Sequence, residues 1–87
     1  MKMIILILKD NDADEVTQAL TADQYRVTRV ASTGGFLRSG VVTLLLGVRD
    51  ERVETCLELI RSKLPPLETG EKRATLFVVP VERFEQV

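Results

Sequence analysis

An α+β fold with the element order β-α-β-β-α-β is what this sequence predicts, and three observations predict it. Four short apolar runs rich in β-branched and aliphatic residues have the length of strands. Two segments between them repeat apolar residues at helical spacing, and the polar and turn-forming residues gather at the joins.

The first run, Met3-Ile4-Ile5-Leu6-Ile7-Leu8, stops at the polar string Lys9-Asp10-Asn11-Asp12. Asp12 followed three residues later by Glu15 reads as a capping box, and Ala13, Val16, Ala19 and Leu20 then share one helical face, so a first helix is expected from there to about Ala22. Tyr25 to Thr33 is the second strand; its period of two places Arg26 and Thr28 on one face and Tyr25 and Val27 on the other. Val41 to Val48 is the third strand. Asp50 is expected to cap a second helix, with Val53, Leu57, Ile60 and Leu64 inward and Glu54, Glu58 and Arg61 outward, ended by Pro65-Pro66. Ala74 to Val79 is the fourth strand, closed by Pro80.

This order is the ferredoxin-like split βαβ arrangement: one antiparallel sheet carrying both helices on one face. Such a sheet leaves its other face to water, where strands should alternate apolar and polar residues. Strands one, three and four are instead nearly continuous apolar runs, so the second face is expected to be covered by another subunit of a symmetric homo-oligomer.

At 87 residues the chain is read as a single domain, 1–87. A formal net charge of −1 creates no field that would gather nucleic acid or an anionic membrane, so an anionic ligand has to be held locally. The opening apolar run is too short for a membrane span or a signal peptide, and a cytoplasmic location is expected. One cysteine and no histidine leave no internal disulfide, no Ser-His or Cys-His pair and no common metal set; no cofactor and no enzymatic activity are expected. Cys56 reads as a small core residue, and Asp10, Asn11, Asp12 and Asp14 as helix-start residues rather than a cation loop.

Within the string Ser32-Thr33-Gly34-Gly35-Phe36-Leu37-Arg38-Ser39-Gly40, the join between strands two and three runs from Gly34 to Gly40, longer than a hairpin needs. Two readings stand side by side. Gly34, Gly35, Phe36 and Leu37 can offer backbone N–H groups to a phosphate, with Arg26 and Arg38 as guanidinium partners, Thr28 and Thr33 as hydroxyl donors and Phe36 as an aromatic face. Alternatively the loop is ordinary and Phe36 and Leu37 dock onto the core.

The segments MKMIILILKDNDADEVTQAL, YRVTRVASTGGFLRSG, LLLGVRDERVE and ATLFVVPVERFEQV together resemble the PII-like cyclic di-AMP receptor proteins of bacteria. The resemblance implies a PII-like homotrimer, a signalling role, and cyclic di-AMP bound between subunits. It carries ligand positions onto Arg26, Thr28, Gly35, Phe36, Leu37, Gly47, Phe77 and Gln86, and onto Gln24 and Val41, where the family usually has asparagine. The long loop that these receptors carry after the second helix is here only Pro65 to Lys72. The downstream protein is unknown. Two other functions are compatible with the sequence: a structural or partner-binding trimer that has lost this ligand, and a sensor of another adenine nucleotide.

Overall fold

The computed structural model describes residues 1–31 and 40–87. Its elements are β1 (Lys2–Lys9), α1 (Asp10–Ala22), β2 (Val27–Ala31), β3 (Val41–Val48), a single 3-10 turn (Asp50–Arg52) running into α2 (Val53–Ser62), and β4 (Ala74–Pro80). The four strands form one antiparallel sheet in the order β2-β3-β1-β4. The predicted ferredoxin-like fold is the fold observed.

Alternation along the central strands decides which face is the core. Ile4, Leu6 and Leu8 of β1 and Val42, Leu44, Leu46 and Val48 of β3 are buried together with Ala13, Val16 and Leu20 of α1 and Cys56, Leu57 and Ile60 of α2. At roughly 1.5–3 kcal/mol for each fully buried large aliphatic side chain, this layer is the main source of stability. The Cys56 thiol lies within it, and burial pushes its pKa up to about 11, as expected for a packing residue rather than a nucleophile. No helix among the described residues is long and apolar enough to cross a membrane.

The helix starts differ from the sequence expectation. Helix α1 begins at Asp10, two residues before the expected cap, and Lys9 at the cap position makes no side-chain cap bond. The Asp10 N–H instead donates to the Gly40 carbonyl at 2.8 Å, so a tertiary acceptor takes the place of a local one. Asp12 is drawn away to Arg73, 3.3 Å from its carboxylate, and Asp14 to Arg29, at 2.6 Å. Asp50 likewise caps nothing: Arg49 precedes the 3-10 turn without a side-chain cap bond, and the Asp50 carboxylate meets the amino group of Met1 at 2.9 Å.

The end of α1 is built on Gln24, which the sequence marked only as a ligand position. Gln24 has φ +68°, in the left-handed region. Its N–H donates to the Thr21 carbonyl at 3.0 Å and the Tyr25 N–H to the Leu20 carbonyl at 2.9 Å, the paired bonds of a Schellman motif. Glycine or asparagine is the usual occupant, because a longer side chain crowds its own backbone there. Gln24→Gly is therefore expected to stabilise the fold by about 0.5–1 kcal/mol, the relief of left-handed strain less the entropy of glycine. Urea denaturation checks this; an unchanged or lower midpoint would mean that the glutamine side chain makes a compensating contact.

Candidate functional site

Because Ile4, Leu6 and Leu8 point at the helices, Met3, Ile5 and Ile7 belong to the opposite face. The register fixes their neighbours. Thr28, Leu45, Ile5 and Phe77 form one row across all four strands, and Val30, Thr43, Ile7 and Thr75 the next. Beyond the first row, Gly47 and Val79 flank Met3. Neither helix covers this face, and Phe77 is 51% exposed on it.

At its Gly47 end lies a cleft of about 570 Å³, with Arg26 just before β2, Thr28 from β2, Leu45 and Gly47 from β3, Met1 and Met3 from the start of the chain, and Val81, Arg83, Phe84 and Gln86 from the segment after β4. Three local features place these groups. Tyr25 is buried, with the Arg52 guanidinium 4.2 Å from its ring centroid, and Arg52 also reaches the Asp23 carboxylate at 3.7 Å. That anchor turns the next residue, Arg26, outward; no ion pair among the described residues involves Arg26. The Met1 carbonyl accepts the Val81 N–H at 3.1 Å, which ties the segment after β4 beside the cleft. The amino group of Met1 holds the Asp50 carboxyl below its usual pKa by hydrogen bonding, then by charge.

Gly47 is the third feature. Its φ lies outside the left-handed region, and a Cβ built on it would meet only the Met1 sulfur, at an ordinary 3.8 Å. Neither conformation nor packing within the chain calls for glycine in the middle of this strand, where glycine weakens β-structure. Its effect is to leave bare backbone beside Arg26.

The residues singled out from the sequence divide by position. Arg26, Thr28, Gly47 and Gln86 line this one cleft. Gln24 lines an adjoining one of about 380 Å³, with Arg26, Gly47, Arg49 and Arg52. Phe77 stands on the same face but outside both clefts. Val41 is at the opposite end of β3, in a polar cleft of about 730 Å³ with Lys9, Asp12, Lys72 and Arg73. Gly35, Phe36 and Leu37 lie outside the described residues. Sequence reasoning misses Arg83 in the first cleft and reads Phe84, like Phe77, as a packed residue first, whereas both are exposed. The signal for Arg83 and Phe84 was an aromatic and a cation close before Gln86, in a segment with no element in which to bury the ring.

Among solved structures, one similar to this chain is the crystal structure of a functionally unknown protein from Pediococcus pentosaceus. It is 33% identical, with a TM-score of 0.78, and the match covers 99% of this chain and 96% of that one. Residues 1–65 match the family model described as cyclic-di-AMP receptor. The matched segment includes Gln24, Arg26, Thr28, Val41 and Gly47 and stops at Pro65, where the short connection to β4 begins. With three quarters of its length matched, the chain belongs to the cyclic-di-AMP receptor family.

Proposed function

We propose that this chain, acting as one PII-like domain over residues 1–87, is a non-catalytic cytoplasmic receptor that binds cyclic di-AMP between the subunits of a homotrimer and signals to a protein partner. Family membership supports the ligand, and the single observation that carries the site is the bare backbone of Gly47 beside Arg26 and Thr28. Cyclic di-AMP presents two adenines and two singly charged phosphodiesters. Arg26 offers a guanidinium fork to a phosphate, Thr28 and Gln86 supply hydroxyl and amide partners, and Met3 and Leu45 offer an apolar wall to a base. Gly35, Phe36 and Leu37 are assigned the backbone donors for a phosphate. No group in this set is a nucleophile with an adjacent base, which fits a receptor.

Two observations support a site shared between subunits. The face bearing Ile5, Leu45, Phe77 and Val79 is apolar and not covered by either helix. Gly47 and Val41, both assigned to the ligand, are six residues apart on one strand, roughly 20 Å at strand rise. A site that uses both draws them from two chains.

Titration calorimetry with cyclic di-AMP and sedimentation at micromolar concentration test the reading together. A saturable heat and a trimer are expected. A trimer that yields no heat with cyclic di-AMP favours a structural or partner-binding role, and heat with another adenine nucleotide alone favours a different sensor. A monomer independent of concentration would sink the shared site. Val41 carries no hydrogen-bonding group, so Val41→Asn is expected to tighten binding roughly ten- to a hundred-fold, the range for restoring a partner to a buried polar group of the ligand.

Gly47→Val separates ligand from fold at the other half of the site. Valine favours strands, its Cβ has room, and the melting temperature should hold or rise. The added side chain occupies the bare backbone, so cyclic di-AMP binding should fall at least ten-fold. Undiminished binding would show that the ligand does not approach β3 at this point.

A further inference from the structure

We infer that Phe84 is a further ligand-contacting residue, the aromatic wall of the Arg26 cleft that stacks on an adenine ring of cyclic di-AMP; this rests on the function proposed above. Phe84 lies outside the residues matched by the family model and in a segment that forms neither strand nor helix. Phe84 is 67% exposed, so packing within the chain does not account for a phenylalanine there.

Its position does. The Val81 N–H is bonded to the Met1 carbonyl at 3.1 Å, three residues before Phe84, and β4 is paired with β1 up to Pro80 opposite Lys2. The backbone leading to Phe84 is thus fixed beside the cleft that Arg26, Thr28 and Gly47 line from the sheet. Phe84 is the one aromatic residue among the described residues that line it.

The chemistry of the cleft is that of a nucleotide missing one partner. A guanidinium and a hydroxyl suit a phosphate, and an amide suits the edge of a base, but the faces of a purine need flat, polarisable surface. Phe84 supplies that surface. Base–aromatic stacking is tolerant of ring identity but lost on truncation, and alanine substitution at such positions weakens binding roughly five- to a hundred-fold. The cleft at the Val41 end holds Asp10, Asp12 and Glu71 and no aromatic residue among those described.

The test uses four variants, Phe84→Ala, Phe84→Leu, Phe84→Tyr and Phe84→Trp, with calorimetry against cyclic di-AMP. The ring is exposed, so all four should melt within about two degrees of the parent. Alanine and leucine should each weaken binding at least five-fold, while tyrosine and tryptophan should stay within about two-fold of the parent. The sequence has no tryptophan, so Phe84→Trp introduces a single one whose emission should be quenched as cyclic di-AMP saturates the protein. If the parent binds but alanine binds equally well, or leucine matches tyrosine, or the tryptophan emission does not respond, Phe84 does not stack on the ligand and the receptor assignment stands without it. If the parent itself gives no heat with cyclic di-AMP, the proposed function falls, and this inference with it.

Discussion

Strand β1 is paired on both sides along nearly its whole length, with β3 from Lys2↔Val48 to Lys9↔Val41 and with β4 from Lys2↔Pro80 to Leu8↔Ala74. The rest of the molecule depends on that double register. Because side chains alternate with period two, a slip of one residue on either side would exchange Ile4, Leu6 and Leu8 for Met3, Ile5 and Ile7 beneath the helices. In an ordinary half-exposed sheet such a slip would bury polar residues and be opposed strongly. Here both sets are apolar, so the discrimination has to come from elsewhere. Strand β3 supplies part of it: its helix side carries Val42, Leu44, Leu46 and Val48, whereas its other side carries Thr43 and Gly47 as well as Val41 and Leu45. A slip would place Gly47 in the core, where it leaves a void, and Thr43 where its hydroxyl needs a partner.

The same asymmetry explains how much of the fold was legible in the sequence. Apolar runs and helical spacing are local signals, and each strand they mark is present, with β3 running over Val41–Val48 as expected and β2 starting at Val27 rather than Tyr25, because the end of α1 holds Gln24 and Tyr25 in its closing turn. The helix starts were not legible, although Asp12, Glu15 and Asp50 match capping patterns. An aspartate at a helix start has a choice of partners, and those that win here are distant in sequence: Arg73 for Asp12 and the Met1 amino group for Asp50. Capping patterns describe the local option only. The left-handed backbone at Gln24 was hidden for a related reason. Glutamine is an uncommon choice at that position, and the bonds that hold it there depend on where α1 stops.

Legibility of the candidate site followed the same division. Arg26 and Thr28 were placed on one face by alternation alone, and the register confirms the side on which Thr28 lies, opposite Leu45. Gly47 could be named only through family resemblance, since a glycine in a strand reads first as a bulge; the structure adds that neither conformation nor packing within the chain calls for it. Phe84 could not be found by periodicity, because it belongs to no periodic element. It becomes visible once the hydrogen bond from Val81 to Met1 brings the last residues beside the sheet.

Charge is arranged at the scale of the two ends of the sheet rather than of the whole chain. At the Gly47 end, Arg26, Arg49, Arg52 and Arg83 line the two adjoining clefts with no acidic residue among their described lining, and three carboxylates nearby are engaged: Asp23 with Arg52, Asp50 with the Met1 amino group and Glu85 with Arg83. At the Val41 end, Asp10, Asp12 and Glu71 offset Lys9, Lys72 and Arg73. A protein with a net charge of −1 therefore presents a locally basic rim at one end of its open face. Screening over about 8 Å at physiological salt confines that rim to its own cleft, so it favours an anion that reaches the Arg26 side chain and does little at longer range. Neutralising carboxylates with fixed partners is what allows Arg26 to remain available: a guanidinium already engaged by an adjacent acid would have to exchange one anion for another, and the gain on binding would shrink accordingly.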